Sequence, residues 1–228
     1  MKTILVTGSS SGVGFSATSL FLEGGWRVIG LARRAKEVFS GNPHYFPIEA
    51  DLAGKDLSKK LQIAAEDAGI AVLDAVLLNG SGFYKGSFID LAENDVEQLY
   101  RSNVLSCFTI LRWAYPLLKA GKSPQVLMIT SVGGVLGTQK FTGLSAYSSS
   151  KGAQAILAEC LAEEWKDEGI QVNALALGSV DTPMLREAFP GYAASMEAGD
   201  VGKYIFHWME GEGLLFNGKV LQVSRGTP

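Results

Sequence analysis

Apolar and polar positions along this chain fall into alternating blocks. Short, nearly continuous apolar runs occupy residues 4–6, 26–32, 45–50, 73–79, 125–131, 171–176 and 219–223. Runs this short and this apolar, bounded by turn residues, read as strands buried on both faces. Segments with helical spacing lie between them, at 13–23, 57–68, 93–119, 146–168 and 200–209. Pro116 is expected to bend or end the helix it sits in, and Gly169 to stop the helix before it. The alternation predicts an α/β fold, a doubly wound parallel sheet of about seven strands with helices on both faces. Folds of this kind bind ligands outside the carboxyl ends of their strands, so functional residues are expected there.

Composition adds limits. A chain of 228 residues reads as a single domain, 1–228. Its 27 glycines are scattered between the apolar runs, which fits tight strand-to-helix turns better than a linker. The net charge is −3 and the nearest thing to a basic run is Arg33-Arg34, which argues against nucleic acid or an anionic membrane as partner. Cys107 and Cys160 are far apart and His44 and His207 isolated, so neither a metal site nor a histidine-based triad is expected. The first apolar run is too short for a signal peptide, and no stretch of about 18 apolar residues suggests a membrane span. A cytoplasmic protein is expected.

The first strand runs into Thr7-Gly8-Ser9-Ser10-Ser11-Gly12-Val13-Gly14, and a helix follows. Glycines there let the chain turn and approach a pyrophosphate closely, while the helix N-terminus offers free N–H donors. Ser10 and Ser11 can add hydroxyl donors. No Lys-Ser/Thr pair follows, as a mononucleotide P-loop requires, and the G-x-x-x-G-x-G spacing differs from G-x-G-x-x-G. Position and context favour a dinucleotide. An acidic residue ending the second strand would bond the ribose 2′-hydroxyl of NAD; the chain has Ala32-Arg33-Arg34 instead. Guanidinium groups match a 2′-phosphate, which selects NADP(H), with Arg33 as main contact and Arg34 as a second candidate. Two solvated surface arginines are the alternative. Asp51-Leu52 and Asn79-Gly80 follow the third and fourth strands, where they either outline an adenosine ledge or serve as plain turn residues.

Tyr147 and Lys151 are one helical turn apart at the start of a long helix, so the ammonium can sit near the phenol. A neighbouring cation is expected to lower the phenol pKa and fit Tyr147 for proton transfer near neutral pH. The spacing alone is not specific, because Tyr115 and Lys119 share it. Context separates the pairs: Tyr115 is late in its helix beside Pro116, whereas Tyr147 opens a helix after the fifth strand. Ser131 ends that strand and either holds a substrate oxygen or bonds local backbone. Asn103, a poor residue for a helix interior, either holds a water linked to Lys151 or is a surface polar residue.

Taken together, these residues resemble the short-chain dehydrogenase/reductase family, whose Rossmann-type fold the predicted elements match. The likeness covers nearly the whole chain: the loop Thr7 to Gly14, Asp51, Asn79, the set Asn103, Ser131, Tyr147 and Lys151, then Val172-Asn173, Gly178, Val180 and Thr182. The resemblance implies hydride transfer between NADP(H) and a small carbonyl or alcohol. It makes Tyr147 the acid/base, Lys151 a ribose-binding and tuning residue, and Ser131 the group orienting the carbonyl. Asn103 would support a proton relay, and Val180 and Thr182 would contact the carboxamide. It also implies a homodimer or homotetramer joined through the two long helices. Several positions depart from the family pattern. Asn79-Gly80-Ser81-Gly82 replaces the usual Asn-Ala-Gly element, which would loosen the floor of the site. Ser131 and Tyr147 are 16 positions apart, about three more than usual. Leu177-Gly178 replaces Pro-Gly, Ser224-Arg225-Gly226 replaces Asp-Gly-Gly, and the lid region near residues 180–200 is short, leaving the site open or completed by another subunit. Phe83, Tyr84, Phe141, Met184, Leu185 and Phe189 are candidates for an apolar pocket. The rival readings are a non-catalytic NADP(H)-binding sensor and a sugar-nucleotide epimerase or dehydratase; the latter needs a larger C-terminal region.

Overall fold

The strongest apolar run, Ile4-Leu5-Val6, has no exposed surface at all. It belongs to β1 (Thr3–Thr7), an interior strand of a sheet completed by β2 (Arg27–Ala32), β3 (Tyr45–Glu49), β4 (Ala75–Leu78), β5 (Gln125–Ser131), β6 (Gln171–Leu177) and a last strand, β9 (Val220–Val223); β7 (Val180–Asp181) and β8 (Met196–Glu197) form a separate small pair. The computed structural model describes residues 1–225, so Gly226 lies outside the described residues. The seven strands run parallel in the order β3-β2-β1-β4-β5-β6-β9. The helices are α1 (Gly12–Glu23), α2 (Leu57–Asp67), α3 (Glu93–Tyr100), α4 (Ser106–Lys119), α5 (Ser145–Glu164), α6 (Pro183–Ala188) and α7 (Ala198–Glu210). This is the expected doubly wound α/β architecture.

Strand side chains alternate between the two faces, and here both sets are apolar. Leu5, Ile29, Leu31, Val76, Leu78, Val126 and Met128 face one core, covered by α2, α4 and α5. Ile4, Val6, Val28, Leu77, Leu127 and Ile129 face the other, covered by α1 and α7. The strand order reverses between β1 and β4, where a crevice opens at the carboxyl edge.

Two details differ from expectation. The helix spanning 93–119 is interrupted by a π-helical turn, Arg101–Leu105, that carries Asn103 into the interior. It is not stopped by Pro116, because the buried Leu118 and the Leu73 N–H donated to the Leu117 carbonyl (3.1 Å) hold its last turn. Gly169 does close the segment after α5, in a left-handed conformation (φ 70°).

Gly30 has a steric task in β2. A β-carbon there would lie 2.3 Å from the Tyr45 ring and hydroxyl. That space lets the Tyr45 hydroxyl pass beneath the sheet edge to Ser9 Oγ (3.1 Å) and donate to the Ala35 carbonyl (3.2 Å). Gly30→Ala is expected to lower stability by about 1–3 kcal/mol through overpacking. An unchanged midpoint in urea or thermal unfolding would show that Tyr45 moves aside freely.

Candidate active site

The turn from β1 into α1 is built by close backbone approach. Gly8 has φ 72° and Gly12 φ 55°, conformations that favour glycine. A β-carbon on Gly14 would meet the Gly8 carbonyl oxygen at 2.2 Å. Ser11 precedes α1 without a side-chain cap, and no acidic residue lies in the first turn. The helix N-terminus therefore keeps N–H donors for an anion. Ser9 is buried against Tyr45, leaving Ser10 and Ser11 toward the cleft.

Two hollows run along the carboxyl edge and share Gly8, Gly80, Ser81 and Phe83. The first, about 340 Å³, is lined by Ser10, Arg33, Asp51 and Leu52 besides the shared residues. The second, about 490 Å³, brings together Ser11, Gly12, Val13, Asn79, Ser131, Tyr147, Lys151, Val180 and Thr182. The joined groove, glycine turn and open helix end fit an extended dinucleotide with one end at Arg33. Three expected residues line neither hollow. Gly14 packs against Gly8, Arg34 lies 3.9 Å from Glu37, and Asn103 is fully buried. Asp51 also serves its turn, with Oδ1 accepting from the Ala53 N–H at 2.9 Å.

Asn103 is fully buried, so the surface alternative does not hold. Its Oδ1 accepts from the Gly82 N–H (2.7 Å), while Nδ2 donates to the Gly82 carbonyl (3.2 Å) and to Ser150 Oγ (3.0 Å). The amide is thus taken up within the protein, and it clamps the Gly80–Gly82 segment that was expected to be loose. The π-helical turn turns its carbonyl toward side-chain donors, Gln154 Nε2 (2.7 Å) and Cys107 Sγ (3.1 Å). Gln154 was missed in the sequence. Its signal was a polar residue three positions after Lys151, on the same helical face.

The loop from Ser131 to Tyr147 is tied down. Ser131 Oγ accepts from the Gly133 N–H (3.2 Å), Thr138 Oγ1 donates to the Val135 carbonyl (2.9 Å), and Gly143 accepts from the Gly86 N–H (2.9 Å). The short lid is ordered too. Thr182 Oγ1 caps α6 by accepting from the Leu185 N–H at 3.2 Å. Val180 pairs with Met196 in the small sheet. Residues Met184, Leu185, Ala188, Phe189 and Tyr192 then line the second hollow. Of the apolar candidates, only Tyr84 lies in the first hollow instead.

Lys151 is 2% exposed and donates to the Ile129 carbonyl at 2.9 Å; its Nζ is 5.8 Å from the Tyr147 ring centre. Burial pulls its pKa down to about 8 and pushes the Tyr147 phenol up to about 12. This reverses the expectation that the cation alone lowers the phenol, because desolvation outweighs it in the cofactor-free chain. The decoy pair behaves differently. Tyr115 donates to Glu168 (2.5 Å), Lys119 pairs with the same carboxylate (3.3 Å), and neither lines a hollow.

Comparison with known proteins agrees with this architecture. Residues 2–193 match the family model described as short chain dehydrogenase. The chain is 28% identical over 200 residues to the uncharacterized oxidoreductase YmfI of Bacillus subtilis, covering 83% of this chain and 79% of that protein. It is 31% identical over 190 residues to dehydrogenase/reductase SDR family member 6 of Aquarana catesbeiana, covering 82% and 74%. A short chain dehydrogenase from Burkholderia cenocepacia, solved in complex with NADP, superposes with a TM-score of 0.85 at 26% identity, covering 99% of this chain and 97% of that one. The chain belongs to the short-chain dehydrogenase/reductase family of oxidoreductases. No helix among the described residues is long and apolar enough to cross a membrane.

The buried ammonium carries a stability cost with a defined sign. Lys151 has a native pKa near 8 against an ordinary lysine value of 10.5, so between these values the unfolded chain holds the proton and the native chain does not. Its contribution to stability therefore rises with pH across that window. Lys151→Met is expected to stabilise the cofactor-free protein at pH 7 by on the order of 3 kcal/mol. The gain should fade toward pH 10.5. Urea unfolding at several pH values checks this, and a destabilised variant at pH 7 would contradict it.

Proposed function

We propose that the chain is an NADP(H)-dependent oxidoreductase that moves a hydride between nicotinamide and a carbonyl or alcohol carbon, with Tyr147 as general acid/base. One observation carries this reading: Ser131, Tyr147 and Lys151 open onto one cavity at the end of a groove fitted to a dinucleotide. The nicotinamide, when bound, supplies or accepts the hydride. Ser131 holds the substrate oxygen. In reduction Tyr147 gives that oxygen its phenolic proton; in oxidation the phenolate takes the proton back. Lys151 keeps donors beyond the one given to Ile129, and these hold the ribose. Asn103 positions the floor through Gly82 and the helix through Ser150. Arg33 receives the 2′-phosphate; that the Burkholderia relative was solved with NADP supports this choice. Gly8, Ser10, Ser11, Gly12 and Val13 take the pyrophosphate, Gly14 keeps that turn tight, Arg34 is held in reserve near Glu37, and Asp51, Leu52, Asn79 and Gly80 bound the adenosine and ribose. Val180 and Thr182 take the carboxamide. The exposed Leu105, Phe108 and Ile156 on the long helices support association into a homo-oligomer.

Tyr147→Phe should reduce turnover by about 10²–10⁴-fold and spare NADPH binding. Near-normal activity in that variant would remove Tyr147 from the chemistry, and NADPH binding without turnover by the parent chain would favour a sensor. Arg33→Ala should weaken NADPH by about tenfold or more, with little change for NADH. Equal losses in a fluorescence titration of both cofactors would remove the NADP assignment.

A further inference from the structure

The chemistry of the second cavity defines a substrate class more narrowly than hydride transfer does. Its outer part lies between the segment after β4, the loop before α5 and the lid. Rings dominate there. Phe83 packs on Tyr147, with ring centres 4.9 Å apart, and Phe189 meets Phe83 edge-on at 6.2 Å. Tyr192 continues the row at 6.3 Å from Phe189. Phe141, Leu144 and Met184 add further apolar surface.

Charge is missing from this lining. Among the described residues, the cavity is bounded by no Asp, Glu, Arg or His, and its one cation is Lys151, buried at the inner end. The nearby Lys85 does not line the cavity. Its ammonium lies 4.2 Å from the Phe189 ring centre and donates to the Ala188 carbonyl at 3.4 Å. That engagement ties the lid to the segment after β4 and keeps the exposed Lys85 ammonium at the rim, outside the cavity wall. A buried carboxylate or phosphate without a partner loses its hydration and gains nothing in return. A flat apolar ring, in contrast, finds a row of aromatic faces and edges beginning at the proton donor.

We propose that this cavity takes an uncharged ketone, or the matching secondary alcohol, whose carbonyl belongs to or adjoins a one- or two-ring apolar skeleton. Phe83, Phe189 and Tyr192 form the specificity wall, and Lys85 latches the lid through Phe189. The inference rests on the proposed hydride transfer, but binding can be measured without turnover.

The test pairs molecules that differ only in charge. Methyl 4-acetylbenzoate and 4-acetylbenzoate are compared, with 1-tetralone as a two-ring probe. Binding to the NADPH-loaded Tyr147→Phe protein is read by calorimetry, and turnover of the parent protein by loss of nicotinamide absorbance. The ester and tetralone should bind at least tenfold tighter than the carboxylate. Phe189→Ala should weaken both neutral ligands about tenfold while changing the carboxylate little. Equal or tighter binding of the carboxylate, or binding of none of the three, overturns the inference. So does an undiminished affinity in Phe189→Ala. If the neutral ligands bind the parent protein but are not reduced, the inference stands and the hydride-transfer reading fails.

Discussion

One side chain joins the two halves of this fold at the point where the site opens. Thr7 Oγ1 accepts the N–H groups of Asn79 (2.9 Å) and Gly80 (2.8 Å), and Asn79 Nδ2 donates back to the Thr7 carbonyl (3.1 Å). These bonds staple the end of β1 to the end of β4, where the chain paths diverge. A parallel ladder cannot satisfy backbone groups once its strands part, so a hydroxyl does so instead. Gly8 and Gly80 then lie in contact: a β-carbon on Gly8 would meet the Gly80 α-carbon at 2.8 Å. Both hollows begin at this contact. The glycine turn, the adenosine side and the proposed reaction side all take their positions from it.

From that staple a second buried network extends to the helix carrying Tyr147. Gly82 is held by Asn103, Asn103 by Ser150, and the Asn103 carbonyl by Gln154 and Cys107. The π-helical turn makes this possible, because an extra residue in the turn redirects a carbonyl that a regular α-helix would use internally. The network sets α5 against the floor of the site. It also surrounds Lys151, whose burial destabilises the charged form. An ammonium buried in this way is costly at neutral pH.

Much of the fold was legible in the order of apolar runs. Strands buried on both faces must be apolar at every position, and Ile4, Leu5 and Val6 read that way without any knowledge of neighbours. The glycine turn was equally legible, since Gly8 and Gly12 take conformations that other residues avoid. Less was legible where an outcome depends on a distant partner. Pro116 was expected to bend or end its helix; it does not end it, and the buried Leu118 keeps the last turn in place. The segment 79–82 looked loose, but Asn103 reaches it from 21 positions away. The lid's own order was not legible either: Thr182 caps its helix and Val180 pairs with Met196, a partner 16 positions away.

The sequence by itself determined the doubly wound sheet, the family, and the placement of candidate groups at strand ends, because hydrophobic period and glycine turns act locally. It could not separate Tyr147 from Tyr115 by spacing. Tertiary structure did so, placing Tyr147 in a cavity and Tyr115 beside Glu168. It also decided the sign of the Tyr147 and Lys151 pKa shifts, since desolvation depends on everything packed around a group. The apolar outer part of the pocket was decided the same way, by rings from separate segments that meet there, with Lys151 at the inner end.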